Sequence, residues 1–145
     1  MGDRQEAAIK TFDSGFNCAQ AVISVFSEKY GVDNKLALKI AGGLGGGFRS
    51  GEVCGAVSGA VLVVGLKHGQ CKVGDLETKA LCSSKTKEFV KEFKTRNNSI
   101  ICREILGCDP STPEGHEQAK SQNLFKTVCF DMVRSAISIL EEQGY

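Results

Sequence analysis

The stretch that decides the fold is "GGLGGGFRSGEVCGAVSGAVLVVGL", Gly42 to Leu66. Five of its first six residues are glycine, and a cysteine at Cys54 opens a long run of small and apolar residues. A glycine loop that cradles a phosphate behind a strand would make this an α/β protein. A glycine loop that joins two closely packed helices would make it all-α. The loop has neither the P-loop spacing nor the dinucleotide fingerprint, and no alternating strand precedes it. Arg49 and a following helix N-terminus could attract an anion, but the nucleotide pattern itself is missing. Gly55, Ala56, Gly59 and Ala60 fall on one side of the Cys54 helix, where absent side chains let another backbone or a cofactor approach.

Working outward, the apolar spacing is helical nearly throughout. Residues 3 to 13 form a short helix, broken at Gly15. A strongly apolar helix runs from about Asn17 to Tyr30 and is closed by Gly31, where a left-handed C-cap is favoured. "DNKLALKIAGG" starts on a capping Asp or Asn and ends in the glycines. The Cys54 helix ends near His68 and Gly69, and a long polar helix follows from about Asp75 to Arg96. "NSIICREILG" takes Asn98 or Ser99 as its N-cap and stops at Gly107. Both prolines of the chain lie in "CDPSTPEG", which reads as a surface loop. Phe125, Val128, Cys129, Met132, Val133, Ala136, Ile137 and Leu140 then recur at steps of three and four as one apolar stripe. The expectation is an all-α compact bundle of six or seven helices with a Gly-rich interhelical loop, in one domain over residues 1–145.

Composition narrows the function. With 145 residues, 41% hydrophobic, 24% charged and a net charge of +1, the chain suits a globular protein and lacks the basic field of a nucleic-acid binder. Lys and Arg cluster around Lys85 to Arg96 but alternate with Glu88 and Glu92, as on a solvated helix face. "MGDRQEAAIK" has no apolar core of a secretory signal, and Glu6 stands where a myristoylation signal has Ser or Thr. The apolar run Val53 to Leu66 is shorter than the roughly 18 residues a membrane span needs. The chain is expected to be soluble and cytoplasmic, and its nearly all-apolar helix points to a homodimer.

Seven cysteines are the outstanding feature. An odd number cannot all pair within one chain, and a reducing cytosol argues against a disulfide framework. Buried thiols also serve as small core residues. Cys18, Cys54 and Cys102 each fall in the expected first turn of a helix, where the dipole lowers a thiol pKa and favours redox chemistry or metal ligation. Cys129 lies on the apolar stripe and is expected to face the core. No two cysteines form a CxxC pair, which removes the thioredoxin dithiol, the zinc ribbon and the bacterial ferredoxin pattern. Any site must therefore be assembled in space from four separate helices. His68, near a helix C-terminus, and His116, in the proline loop, are not expected to be ligands. No residue set identifies a hydrolase.

These cysteines carry a resemblance. "CGAVSG", Cys54 to Gly59, together with Cys18 in "GFNCAQAV", Cys102 in "CREILGCD" and Cys129 in "FKTVCFDMV", resembles the redox-active proteins named for a C…GCAxxG…C…C pattern. The resemblance covers about residues 4 to 142 and implies a small cytoplasmic redox protein. A related domain joined to multihaem cytochromes holds an iron–sulfur cluster. By that analogy Cys18, Cys54, Cys102 and Cys129 would ligate a [2Fe–2S] cluster and pass electrons to an unidentified redox partner protein. No haem-attachment CxxCH occurs, and Cys71, Cys82 and Cys108 are additions to the pattern. Two alternatives stay open: a metal-free thiol–disulfide protein with Cys54 as attacking thiolate, and a zinc- or copper-binding sensing module linked to transport. Under the cluster reading, flexible backbone beside Cys54 would bring amides close to sulfur atoms, and the small face of the following helix, with Gly55 and Gly59, would leave room for the inorganic core.

Overall fold

A computed structural model describes residues 2–145, with Met1 outside it. Eight α-helices make up the described chain: α1 Gly2–Asp13, α2 Cys18–Ser24, α3 Asn34–Ile40, α4 Gly55–His68, α5 Leu76–Asn97, α6 Cys102–Leu106, α7 Pro113–Ser121 and α8 Val128–Glu142. Short 3-10 turns lie at Glu28–Tyr30 and Leu124–Lys126. The class is all-α as expected, and the elements depart from the expected six or seven helices in two places.

The first is a break in the expected Asn17–Tyr30 helix. α2 stops at Ser24 because Val25 leaves helical geometry, with φ −90° and ψ 0°. The Arg4 guanidinium of α1 donates to the Val25 carbonyl at 3.3 Å, which takes that oxygen out of a helical ladder. The chain turns through 25–27 and closes with Gly31 in the left-handed region at φ 77°, the cap the sequence implies. The second is α7, which stands where the sequence reads as loop. Thr112 accepts a hydrogen bond from the Gly115 amide and Pro113 occupies the first helical position. A Thr-Pro-Glu start of this kind is a helix signal because proline's missing N–H costs nothing there.

α8 lies at the centre, packed on α1, α2, α4 and α5, while α2 and α4 make the closest pair. Phe26, Phe89, Phe93, Ile23, Val57, Val63, Ile137 and Leu140 fill the core with almost no exposed surface. The small residues of α4 face α2. A Cβ on Gly59 would come within 2.7 Å of the Ala19 carbonyl and 2.9 Å of its Cα. So Gly59 admits a neighbouring backbone and reserves no cavity, which corrects the expectation at that position, whereas Gly55 does line the cysteine cavity. The Arg4 side chain stacks 4.5 Å from the Phe26 ring and pairs with Glu141 at 2.9 Å, tying α1 to both α2's exit and α8.

Candidate functional site

Four helix starts converge on one cavity of about 460 Å³. Its wall includes Cys18, Cys54, Cys102 and Cys129. Cys18 is the first residue of α2, Cys54 is the N-cap of α4, Cys102 is the first residue of α6 and Cys129 is the second of α8. Cys129 therefore belongs to a helix start like the other three, where the sequence reading put it in the core. The periodic stripe hid this because Phe125 stands on a separate 3-10 turn and α8 begins only at Val128.

Each thiol is held by local structure. Asn17 caps α2 through a reciprocal pair: its side chain accepts from the Gln20 amide, and its own amide donates to the Gln20 side chain, both at 2.8 Å. The Asn17 amide group also donates to the Ala41 and Gly42 carbonyls at 3.2 Å, fastening the glycine loop to the start of α2. Cys54 and Cys102 are drawn together by an antiparallel bridge between Val53 and Ile101. In it the Cys54 amide donates to Ile100 at 2.7 Å and the Cys102 amide to Glu52 at 2.5 Å. Arg103 braces the same junction, donating to the Gly51 carbonyl at 3.0 Å and to the Glu52 carboxylate at 2.7 Å. The expected Ser99 cap of this helix is displaced. Ile101 is the cap residue, Asn98 ends α5 in the left-handed region, and the Ser99 hydroxyl accepts from the Ile101 amide at 2.9 Å.

The glycine-rich loop is a left-handed turn. Gly46, Gly47, Phe48 and Arg49 have successive φ values of 62°, 63°, 60° and 57°. Left-handed geometry costs a non-glycine residue about 1–2 kcal/mol, so Phe48 and Arg49 are strained. At Gly47 a Cβ would run into the Glu52 backbone, whose amide donates to the Gly47 carbonyl at 3.0 Å. The turn aims the Gly46 amide at the Cys18 sulfur, alongside the amides of Cys18 itself, Ala19 and Gly55. The cysteine sulfur that the loop serves is that of Cys18. Gly55 completes the arrangement, since a Cβ there would collide with the Cys18 sulfur.

Electrostatics also differ from the first-turn expectation. Burial raises all four thiol pKa values, and mutual repulsion between the thiolates adds to it at Cys54, Cys102 and Cys129. Cys102 is pushed up to about 12. Amides oppose this at Cys18 and Cys54: no hydrogen bond from the Cys54 side chain caps α4, yet the Ala56 and Val57 amides face its sulfur. Desolvation wins over the helix-end field because Cys54 and Cys102 are 6% and 8% exposed, and helix-terminal fields are modest. The raised values favour neutral thiols near pH 7.

The remaining wall carries apolar Phe12, Ile105, Leu106, Phe125 and Met132 beside polar Asn17, Gln20 and Ser111, and its exposed rim carries Phe16, Arg49 and His116. His116 lies 5.2 Å from the Phe125 ring and sits on α7, a rim position that the loop reading missed. His68 is distant from the cavity and packs edge-on to Tyr145 at 5.6 Å; burial and then Lys67 lower its pKa, so its neutral form is favoured over the cation expected from its helix end. Cys71 is exposed and Cys82 is half-buried, and neither lines the cavity. Cys108 is half-buried outside the lining but near enough to raise the Cys102 and Cys129 pKa values. All seven cysteines are unpaired. Among the described residues no three Cys, His, Asp or Glu side chains converge closely enough to hold a metal ion.

The fold and site define an all-helical protein that gathers four thiols from four helix starts around one cavity. The chain belongs to the family described as "Putative redox-active protein (C_GCAxxG_C_C)", whose model matches residues 16–143. Its central motif reads Cys54-Gly55-Ala56-Val57-Ser58-Gly59, with Cys and Gly in the reverse order from the family's label. No curated protein and no solved structure matches the chain.

Proposed function

We propose that Cys18, Cys54, Cys102 and Cys129 hold a [2Fe–2S] cluster and that the protein carries one electron between partners. The observation that carries this reading is the donor set: four thiols from four helix starts line one cavity. The residues present fit such a group, since thiolates are its usual ligands and Phe12, Ile105, Leu106, Phe125 and Met132 shield them from water on one side. When bound, it would supply a reversible one-electron change spread over iron and sulfide.

The chain's own residues would tune that change. Amides of Gly46, Ala19 and Gly55 directed at Cys18 favour negative charge on its sulfur, and hydrogen bonding to cluster sulfurs shifts potential. The left-handed turn keeps the Gly46 amide in place. Because burial keeps the thiols neutral, loading the site would release protons as ligands ionise. The same raised thiol pKa values weigh against the metal-free alternative, which needs Cys54 as a ready thiolate. An electron partner would approach at the rim of Phe16, Arg49 and His116.

The test is the visible absorption spectrum of protein purified without oxygen, taken on single Cys→Ser variants. Loss of charge-transfer absorption in Cys18→Ser, Cys54→Ser, Cys102→Ser and Cys129→Ser, with Cys71→Ser and Cys82→Ser unchanged, supports the reading. A colourless native protein that binds zinc alone would replace it with the sensing module.

A further inference from the structure

The strongest feature outside the cysteine site is the charge pattern of α5. At 100° per residue, Lys79, Lys87, Lys91 and Lys94 fall within about a third of the helix circumference. Glu77, Glu88 and Glu92 fall on the next strip, and Lys85 and Arg96 lie beyond them. Two of these acids are taken up locally: Glu88 pairs with Lys85 at 3.7 Å and Glu92 with Arg96 at 2.7 Å, while Arg96 also reaches Glu142 at 2.9 Å. The four lysines are exposed, and among the described residues none of them is in an ion pair. The alternation of Lys and Glu along the sequence thus folds into separate basic and acidic strips.

Two further observations belong to the same face. Shallow grooves of about 390 Å³ and 470 Å³ follow it, the first edged by Lys79 and Lys87, the second by Lys87, Lys91 and Lys94. At its N-terminal end Val73 is fully exposed and Leu76 is 69% exposed, the most exposed large apolar side chains among the described residues. Lys72 is exposed beside Val73.

We propose that this face docks the protein on the surface of an anionic phospholipid bilayer. Lys79, Lys87, Lys91 and Lys94, about 22 Å from end to end along the axis, would lie against the headgroup phosphates. Val73 and Leu76 would enter the interface, as exposed apolar side chains beside a basic strip do on peripheral proteins. Those apolar side chains favour a bilayer over a nucleic acid or an acidic protein surface, which offer them no apolar phase. No residue of α5 lines the cysteine cavity, so docking here leaves the rim of Phe16, Arg49 and His116 open. The proposal does not depend on what the cysteines hold.

The experiment is flotation of the full chain with vesicles of phosphatidylcholine containing phosphatidylglycerol, against phosphatidylcholine alone. Binding to the anionic vesicles at low salt and its loss at high salt are expected. Replacing Lys79, Lys87, Lys91 and Lys94 by Gln should weaken partition about five-fold per lysine. Val73→Asp should weaken it with the lysines intact, and because these side chains are exposed, circular dichroism should show all variants folded. Three results would overturn the proposal: no binding to anionic vesicles, equal binding to neutral ones, or binding indifferent to the lysines. So would lysine-dependent binding to duplex DNA or polyglutamate by a chain that ignores vesicles.

Discussion

The two sides of this molecule are built on opposite principles. At the cysteine end, nearly every backbone group is committed: a left-handed turn, an antiparallel bridge, a reciprocal cap and two glycines that touch neighbouring atoms. Along α5 the backbone is one uninterrupted helix of 22 residues, and all individuality lies in the side chains. The contrast shows how each surface tolerates change. A site assembled from four helix starts depends on close approach of main chains, so its critical residues are the smallest ones. A docking face depends on charge at the ends of long side chains, so single replacements there should leave the fold alone.

The contrast breaks first if Gly59→Leu is harmless. Its side chain would enter the Ala19 backbone, and a loss of about 3 kcal/mol or more is expected in chemical denaturation. Next in size is the response to alkali. The thiols of the site have folded pKa values above their unfolded ones, so their contribution is complete below the ordinary thiol value of 9.0. It is lost as pH rises through the folded values, which for Cys102 means towards about 12. Denaturation midpoints of the metal-free chain should fall across that window, and Cys102→Ser should flatten the fall. Gly47→Ala should cost about 2 kcal/mol, combining a left-handed alanine with the collision at Glu52. Asn17→Ala should cost about 1–2 kcal/mol through the lost cap of α2, read by thermal melting. At the far end of the scale, Lys87→Ala should change stability by less than about 0.5 kcal/mol.

Much of the regular structure was legible in local patterns. Gly31 and Gly107 mark helix ends and sit in the left-handed region as such caps do. The apolar stripe of α8 and the small face of α4 point to their buried sides. The four cysteines stand out through the family pattern, and the helix start at Cys18 could be read from its neighbour Asn17, whereas α4 and α6 are capped by Cys54 and Ile101 and not by the nearby serines. What stayed hidden depends on contacts distant in sequence. The bridge between Val53 and Ile101 has no local signature, yet it sets the approach of Cys54 to Cys102. The break after Ser24 depends on Arg4 reaching across from α1. Thiol burial, which outweighs the helix-end field, becomes visible only when four elements meet. α7 is the exception: its Thr112-Pro113-Glu114 start is a local helix signal, because a proline that marks a loop serves equally well at the first helical position.

The central claim concerns what the four thiols hold, and the most direct test is iron, zinc and acid-labile sulfide per chain in protein purified without oxygen or chelator. The account predicts iron and sulfide in equal amounts, both lost together in Cys54→Ser. Protein with neither iron nor sulfide, or with zinc alone, would contradict it.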